Sequence, residues 1–246
     1  MPEFLTTSDG QRIAYEKTAG SGPTLIWCGG LKSDMEGSKA VHLHGWAKSN
    51  GQGFIRFDYF GHGQSSGEFI DGTLSRWAAD IGVVQKQLSV GPVILIGSSM
   101  GGWAALLAAL ANPAGVAGLV LINPAPDFTE KLTVAGWTED QLKALENDGV
   151  VYEPSGYDEP YAYSRALIED GRARQILDAP IDLSCPVRIL QGHDDSVVPW
   201  IHSKQLIDRL ASENVTYTLV SGGDHSLSRP SDLTLIEAAI TDITHA

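Results

Sequence analysis

A serine between closely spaced glycines is the first group in this sequence that could do covalent chemistry. Gly-Ser-Ser-Met-Gly occupies residues 97–101, between an apolar run that ends at residue 96 and a second one rich in alanine and leucine. Glycines relieve crowding at a sharp strand-to-helix turn, so Ser99 can project its hydroxyl toward a substrate. The pattern predicts that Ser99 is a nucleophile, and a plain glycine-serine turn is the alternative.

A serine hydroxyl needs a base to take its proton and an acid to orient that base. Where the serine lies on such a turn, the acid and the histidine follow it in that order. Asp195 lies in the loop after a strong strand signal at 186–192, which favours it as the acid, with Asp194 as the competing choice. His225 lies in a glycine-containing loop after the strand signal that begins at 215, and it is the predicted base.

Two backbone N–H groups are candidates for holding an oxyanion. The first belongs to Met100, the residue after the serine, at the positive end of the predicted helix. The second lies in the Cys-Gly-Gly-Leu segment at 28–31, and we expect it to be the N–H of Leu31. Asp58, at the end of another strand signal, is predicted to be a structural hydrogen-bond acceptor near the same face of the sheet.

The elements that must position these groups alternate along the chain. Strands are predicted at 24–30, 54–61, 93–99, 119–123, 186–192 and 215–225, and helices at 36–49, 73–90, 101–111, 200–212 and 230–243. Residues 3–7 and 12–17, joined by a Ser-Asp-Gly turn, predict an antiparallel hairpin at one edge. The order predicts an α/β chain with a mostly parallel central sheet and helices on both faces.

The alternation stops over residues 124–186, a span with helical patterns and no convincing strand. A connection of this length in a compact domain is usually functional. We therefore predict a core of residues 1–123 and 187–246 with an inserted, mainly helical cap at 124–186. Its aromatic residues Trp137, Tyr157 and Tyr161 are candidates for lining an apolar substrate pocket, and anchoring the cap on the core is an equally good interpretation.

Composition excludes several classes of function. The 246 residues include 17 Lys+Arg against 30 Asp+Glu, a net charge of −13, so the surface field opposes nucleic acid and anionic lipid. Two cysteines and an N-terminus without an apolar core favour a reduced, cytoplasmic protein. The uncharged stretch 93–126 is broken by glycine and proline, so no membrane insertion is expected, and no metal-ligand or phosphate-loop spacing predicts a cofactor.

The motifs together resemble those of the α/β-hydrolase superfamily, and the resemblance covers essentially the whole chain. The sequence is also similar to the branch that contains a mitochondrial acyl-glucuronide esterase and palmitoyl-protein thioesterase. The segments that carry this likeness are GLKSDMEGSKA at 30–40, IRFDY at 55–59, GSSMGGW at 97–103, CPVR at 185–188 and VVPW at 197–200.

The resemblance implies the α/β-hydrolase fold and an acyl substrate, a carboxylic ester or a thioester. It implies that Ser99 is the nucleophile, that Asp195 orients the histidine, and that His225 is the general base. A non-catalytic member of the fold that binds an acyl ligand is the alternative, as is a C–C hydrolase, haloperoxidase or peptidase with the same three residues. Because residues 124–186 carry 13 acidic and 5 basic side chains, we expect neutral or cationic esters to be favoured over anionic ones at low salt. Oligomeric state is not predicted.

Overall fold

The computed structural model describes residues 2–155 and 160–244. An eight-stranded sheet has the order β1-β2-β4-β3-β5-β6-β9-β10. Its strands are β1 (Glu3–Thr6), β2 (Arg12–Thr18), β3 (Ser21–Cys28), β4 (Gln52–Phe57), β5 (Val93–Ser98), β6 (Val116–Ile122), β9 (Val187–Gly192) and β10 (Val215–Val220). β1 and β2 form the predicted edge hairpin and β2 pairs antiparallel with β4, while every other pairing in the sheet is parallel.

Helices cover both faces of this sheet, which confirms the predicted fold class. They are α1 (Ser38–Ser49), α2 (Leu74–Leu88), α3 (Met100–Ala111), α6 (Trp200–Ser203), α7 (Gln205–Arg209) and α8 (Pro230–Thr244). Alternate side chains of each central strand point to opposite faces: in β5, Ile94 and Ile96 pack with α1 and α8, and Leu95 packs with α2 and α3. Because both faces are buried, the central strands carry no alternating polar residues.

The segment between β6 and β9 contains α4 (Glu139–Asp148), β7 (Val150–Glu153), β8 (Tyr161–Ser164) and α5 (Arg165–Ala173). The expectation that it holds no strand is wrong, because β7 and β8 pair antiparallel in register from Val150↔Ser164 to Glu153↔Tyr161. Their runs V-V-Y-E and Y-A-Y-S are rich in the β-branched and aromatic residues that favour strands, but four residues are too few to display a period. The division into core and cap at 123/124 and 186/187 stays a prediction.

Two further features bear on the sequence predictions. The helix predicted at 200–212 is two short helices, α6 and α7, and it ends at Arg209 because the chain then turns to bridge Leu210 with Ile181. Among the helices of the described ranges, none is long and apolar enough to cross a membrane.

Candidate active site

Ser99 lies at the turn between β5 and α3, in a backbone conformation that only a tight local structure maintains. Its φ is 53° and its ψ is −121°, a region that costs a non-glycine residue roughly 1–3 kcal/mol. The flanking glycines are required sterically: a Cβ on Gly97 would lie 2.6 Å from the carbonyl oxygen of Gly101, and one on Gly101 would lie 2.1 Å from that of Cys28. The sequence therefore folds here into a turn that presents the Ser99 hydroxyl at the carboxyl edge of the sheet.

His225 links Ser99 to Asp195. Its Nε2 lies 3.1 Å from Ser99 Oγ, and its Nδ1 lies 2.8 Å from Asp195 Oδ2. Three loops, after β5, β9 and β10, bring these residues together across 126 positions of the chain. This is the geometry in which an imidazole can take a hydroxyl proton while a carboxylate fixes its tautomer.

The Asp195 carboxylate is buried and fully engaged by donors. Oδ1 accepts the N–H groups of Val197 and Val198, both at 2.8 Å, and Oδ2 accepts the side-chain amide of Gln191 at 3.3 Å besides facing His225. These bonds fix the plane of the carboxylate. Asp194 is exposed and its carboxylate faces the ring of its own neighbour His193 at 2.7 Å, so the structure brings Asp195 and not Asp194 to His225.

The loop that carries Leu31 is held by side chains from the loop after β4. Its next residue, Lys32, has φ 59° and donates its N–H to His62 Nε2 at 3.1 Å. Asp58 accepts the N–H of Met35 at 2.7 Å and that of Gln64 at 2.8 Å, which confirms its predicted structural role. Burial lowers the pKa of His62 to about 4, so its ring is neutral and able to accept.

A cavity of about 500 Å³ opens above Ser99. Leu31 and Met100 line it together with Ser99 and His225, and the Cβ position of Gly30 would lie 3.5 Å from Ser99 Cβ. The rest of its wall is mostly apolar on the side of the segment after β6. The residues there are Ala125, Phe128, Leu132, Thr133, Glu153, Pro154, Ser155, Tyr161 and Tyr163, joined by Val197 and Val198 from the Asp195 loop.

A second cavity of about 350 Å³ adjoins the first and shares Gly30, Ser33, Lys39, Ser98 and Ser226 with it. Its wall is more polar, because Lys32 and two further serines also line it. The ammonium group of Lys39 donates to the carbonyl of Ser226, in the loop that carries His225. Burial lowers the pKa of Lys39, an effect that Asp224 and Asp232 oppose. Ser99 lines the first cavity, and the second opens beside it past Gly30 and Ser98.

The three aromatic residues proposed for the substrate pocket have different positions. Tyr161 lines the first cavity, whereas Tyr157 lies outside the described residues. Trp137 is buried behind the wall, where its ring packs edge-on against Tyr163 with centroids 6.1 Å apart. Its indole N–H donates to Glu153 Oε1 at 2.6 Å, because a buried indole needs an acceptor. The expectation that Trp137 lines the pocket is thus corrected: Trp137 supports Tyr163, which does line it.

The remaining His, Cys, Asp and Glu side chains of the described residues were candidates for a metal site or a reactive thiol. No group of three or more His, Cys, Asp or Glu side chains there could hold a metal ion. Burial raises the pKa of the Cys28 thiol to about 12, which leaves this residue beside the Leu31 loop as a small apolar side chain. Reasoning from the sequence missed Lys39 and Asn123, whose contacts near the site lie 187 and 101 residues away in the sequence. It also missed Gln191, a strand residue whose side chain reaches Asp195 four positions later.

Comparisons with known proteins identify the family of the chain. The model of the alpha/beta hydrolase family matches residues 40–235. The mouse protein named mitochondrial palmitoyl-protein thioesterase ABHD10 is 37% identical over 98% of this chain and 81% of its own length. Its solved domain superposes with a TM-score of 0.90 at 34% identity, covering 99% of this chain and 98% of that one. A crystal structure of a putative hydrolase from Agrobacterium vitis superposes with a TM-score of 0.94 at 42% identity, covering 99% and 98%. The chain therefore belongs to the alpha/beta hydrolase family.

Proposed function

We propose that this protein is a serine hydrolase that cleaves carboxylic esters or thioesters through an acyl-enzyme on Ser99. The observation that carries the proposal is the unbroken chain of contacts from Ser99 Oγ to His225 Nε2 at 3.1 Å and from His225 Nδ1 to Asp195 Oδ2 at 2.8 Å. The position of Ser99, which lines a cavity and lies on the strained turn after β5, supports the same assignment.

In the proposed reaction, His225 takes the proton of Ser99 as Oγ attacks the acyl carbon. The N–H groups of Leu31 and Met100 receive the oxyanion, and His225 then protonates the leaving alcohol or thiol. Water activated by His225 attacks the acyl-enzyme, releases the carboxylic acid and restores the Ser99 hydroxyl. Asp195 holds the imidazole in the tautomer that leaves Nε2 free to accept a proton.

The two cavities suggest how a substrate lies. The acyl chain occupies the apolar side lined by Phe128, Leu132 and Tyr161, and the leaving group occupies the polar side next to Lys39. The name of the mouse relative, a palmitoyl-protein thioesterase, supports a thioester or ester with a medium or long acyl chain. Tyr157, which lies outside the described residues, remains a candidate substrate contact. The proposed reaction uses no cofactor, metal ion or nucleic acid. The cytoplasm is the location that we propose for the protein.

The test uses Ser99→Ala with p-nitrophenyl esters and acyl thioesters of increasing chain length. Loss of roughly 10⁴-fold or more in kcat, with loss of labelling by a fluorophosphonate probe, is expected. Asp194→Asn serves as the matched control and retains both. Wild-type turnover by Ser99→Ala would falsify the assignment. Turnover of a diketone or amide but of no ester would identify a C–C hydrolase or peptidase, and absence of both turnover and labelling in the folded wild type would identify a binding protein.

A further inference from the structure

Asn123, the residue after β6, makes three hydrogen bonds through one fully buried side chain. Its Oδ1 accepts the N–H of Gly192 at 2.7 Å. Its Nδ2 donates to the carbonyls of Asp224 at 3.0 Å and of His225 at 2.7 Å. The amide thus ties the end of β9 to the backbone of His225 itself.

The backbone around Asn123 is also bonded to the loop of the nucleophile. The N–H of Ser99 donates to the carbonyl of Ile122 at 2.9 Å, and the N–H of Ala125 donates to the carbonyl of Ser99 at 3.1 Å. Gly192 is the last residue before the loop that carries Asp195. One four-residue segment therefore contacts the loops of Ser99 and His225 and the end of the strand from which the Asp195 loop begins.

We propose that Asn123 is a positioning residue that sets the place of His225 relative to Ser99 and Asp195. This inference rests on the proposed function, because the residues that Asn123 positions are the three that carry out the proposed reaction. Asn123 does not line either cavity as described, so it acts on the reaction only through the backbone of the His225 loop.

The chemistry of the position admits few other side chains. One acceptor and two donors within a short reach are what a carboxamide supplies, whereas aspartate lacks the donors and glutamine is one methylene longer. The backbone has φ 44°, a left-handed conformation that asparagine tolerates better than most residues. The backbone of the His225 loop packs closely against the end of β9, since a Cβ on Gly192 would lie 2.4 Å from the carbonyl oxygen of Gly223.

Asp127 provides a matched comparison four residues further on. It is also fully buried and left-handed, with φ 55°, and its carboxylate accepts the N–H groups of Ile176 at 2.8 Å and Leu177 at 3.0 Å. Both partners lie in the segment between β6 and β9. Replacing either residue removes buried hydrogen bonds to the backbone, but of the two side chains it is that of Asn123 that bonds the backbone of His225.

The test compares Asn123→Gly, Asn123→Ala and Asp127→Asn in the full chain. Both Asn123 variants are expected to lose roughly 10²-fold in kcat with little change in KM, because a shift of about 1 Å in a reacting group can cost that much. Asn123→Gly relieves the left-handed backbone, so it unfolds at a higher temperature than Asn123→Ala while showing the same loss of kcat. Asp127→Asn is expected to change stability and leave kcat within about threefold of wild type.

A spectroscopic measurement separates positioning from loss of stability. The proton on His225 Nδ1, held against Asp195, gives a far-downfield NMR resonance that His225→Gln identifies. It is expected to shift or broaden in the Asn123 variants and to remain in Asp127→Asn. An unchanged resonance with kcat within about twofold of wild type in folded Asn123→Gly overturns the proposal. So does an equal loss of kcat in Asp127→Asn.

The resonance needs no turnover, so it also separates this inference from the proposed function. If Ser99→Ala kept wild-type esterase activity, the proposed function would fail, and the resonance would still report whether Asn123 positions His225.

Discussion

The loops at the carboxyl edge of the sheet and the segment between β6 and β9 are built on different principles. In the edge loops, buried polar side chains fix the backbone at several points each. Asp58 accepts two backbone N–H groups, Asp195 accepts two, and Asn123 bonds three backbone groups. All three side chains are buried, and leaving a buried polar group without its hydrogen bond costs roughly 1–3 kcal/mol. These loops are therefore held in one arrangement.

The segment between β6 and β9 contacts the core largely through apolar faces and partly exposed polar groups. Asp170 of α5 accepts the N–H of Ser75 at 2.8 Å and its hydroxyl at 2.5 Å, and Arg174 donates to the same hydroxyl at 2.8 Å. Lys32 reaches across to the carbonyl of Pro160 at 3.1 Å. From this contrast we expect that the edge loops determine the reaction, while this segment determines which acyl chain fits. Substitutions in the two regions should change different kinetic parameters.

Asp195→Asn should give the largest effect, because it alters the tautomer and charge that hold His225 without removing volume. We expect kcat to fall by roughly 10³- to 10⁴-fold with KM little changed. The matched control is Asp194→Asn, the adjacent carboxylate, whose side chain faces the exposed ring of its own neighbour His193. Steady-state kinetics on a short-chain p-nitrophenyl ester measure both. Comparable losses in the two variants would show that the fixed geometry of Asp195 is not what matters.

His62 tests whether the Leu31 loop is held as rigidly as the geometry indicates. His62→Leu removes the acceptor for the Lys32 N–H, while His62→Gln offers a carbonyl oxygen that can replace it. We expect His62→Leu to lose roughly 10- to 10²-fold in kcat and His62→Gln to recover part of the loss, since Leu31 is the neighbour of Lys32. Equal kcat in the leucine variant and the wild type would mean that the loop keeps its place without this bond.

The same residue predicts a dependence of stability on pH. Its pKa in the folded protein is about 4, below the ordinary value of 6.5, so the unfolded chain takes up a proton first as the pH falls. Between pH 6.5 and 4 the free energy of unfolding of the wild type should therefore fall by up to about 3 kcal/mol more than that of His62→Gln.

Urea unfolding of both proteins over this pH range measures the difference. Burial raises the pKa of Asp80 to about 6, which gives a slope of the opposite sign, but Asp80 is present in both proteins and cancels. Parallel curves for the two proteins would contradict the assigned environment of His62.

The contrast between the two regions also marks what the sequence could predict. Ser99, Asp195 and His225 were predictable because each follows a strong strand signal in a loop with its own local pattern. Asn123 carried no such signal, since its partners lie 101 and 102 residues away and act through backbone atoms. The position of Trp137 could not be predicted for a related reason. Whether its ring lines the cavity or lies behind the wall depends on its hydrogen bond to Glu153, which is 16 residues away. The paired strands β7 and β8 could not be predicted, because four residues are too few to show the alternation of apolar and polar side chains that indicates a strand.

Leu132 tests the role of the segment between β6 and β9 in choosing the acyl chain. It lines the apolar cavity, so Leu132→Ala should remove contact with a medium-length chain and leave an acetyl group unaffected. The ratio of kcat/KM for p-nitrophenyl octanoate to that for the acetate should fall by about five- to tenfold, from the loss of roughly 1 kcal/mol of apolar burial. Leu142→Ala, an exposed leucine of α4, is the control and should leave the ratio unchanged. A fall in kcat for acetate instead would place Leu132 with the edge loops.

The smallest expected effect concerns the charge of the substrate. It compares the electrostatic influence of residues 124–186 with that of Lys39. The acidic side chains of residues 124–186 act at long range on a substrate that approaches, whereas Lys39 acts only inside the cavity. At low salt, kcat/KM for p-nitrophenyl butyrate should exceed that for the carboxylate-bearing p-nitrophenyl succinate by about threefold or more. Because the Debye length is only about 10 Å at 0.1 M salt, added salt screens the repulsion of the anionic ester. The kcat/KM for the succinate ester should therefore rise with salt, while that for the butyrate ester stays nearly constant. A preference for succinate at low salt that Lys39→Met abolishes would mean that the cavity lysine outweighs the acidic surface, and that the segment between β6 and β9 does not determine substrate choice alone.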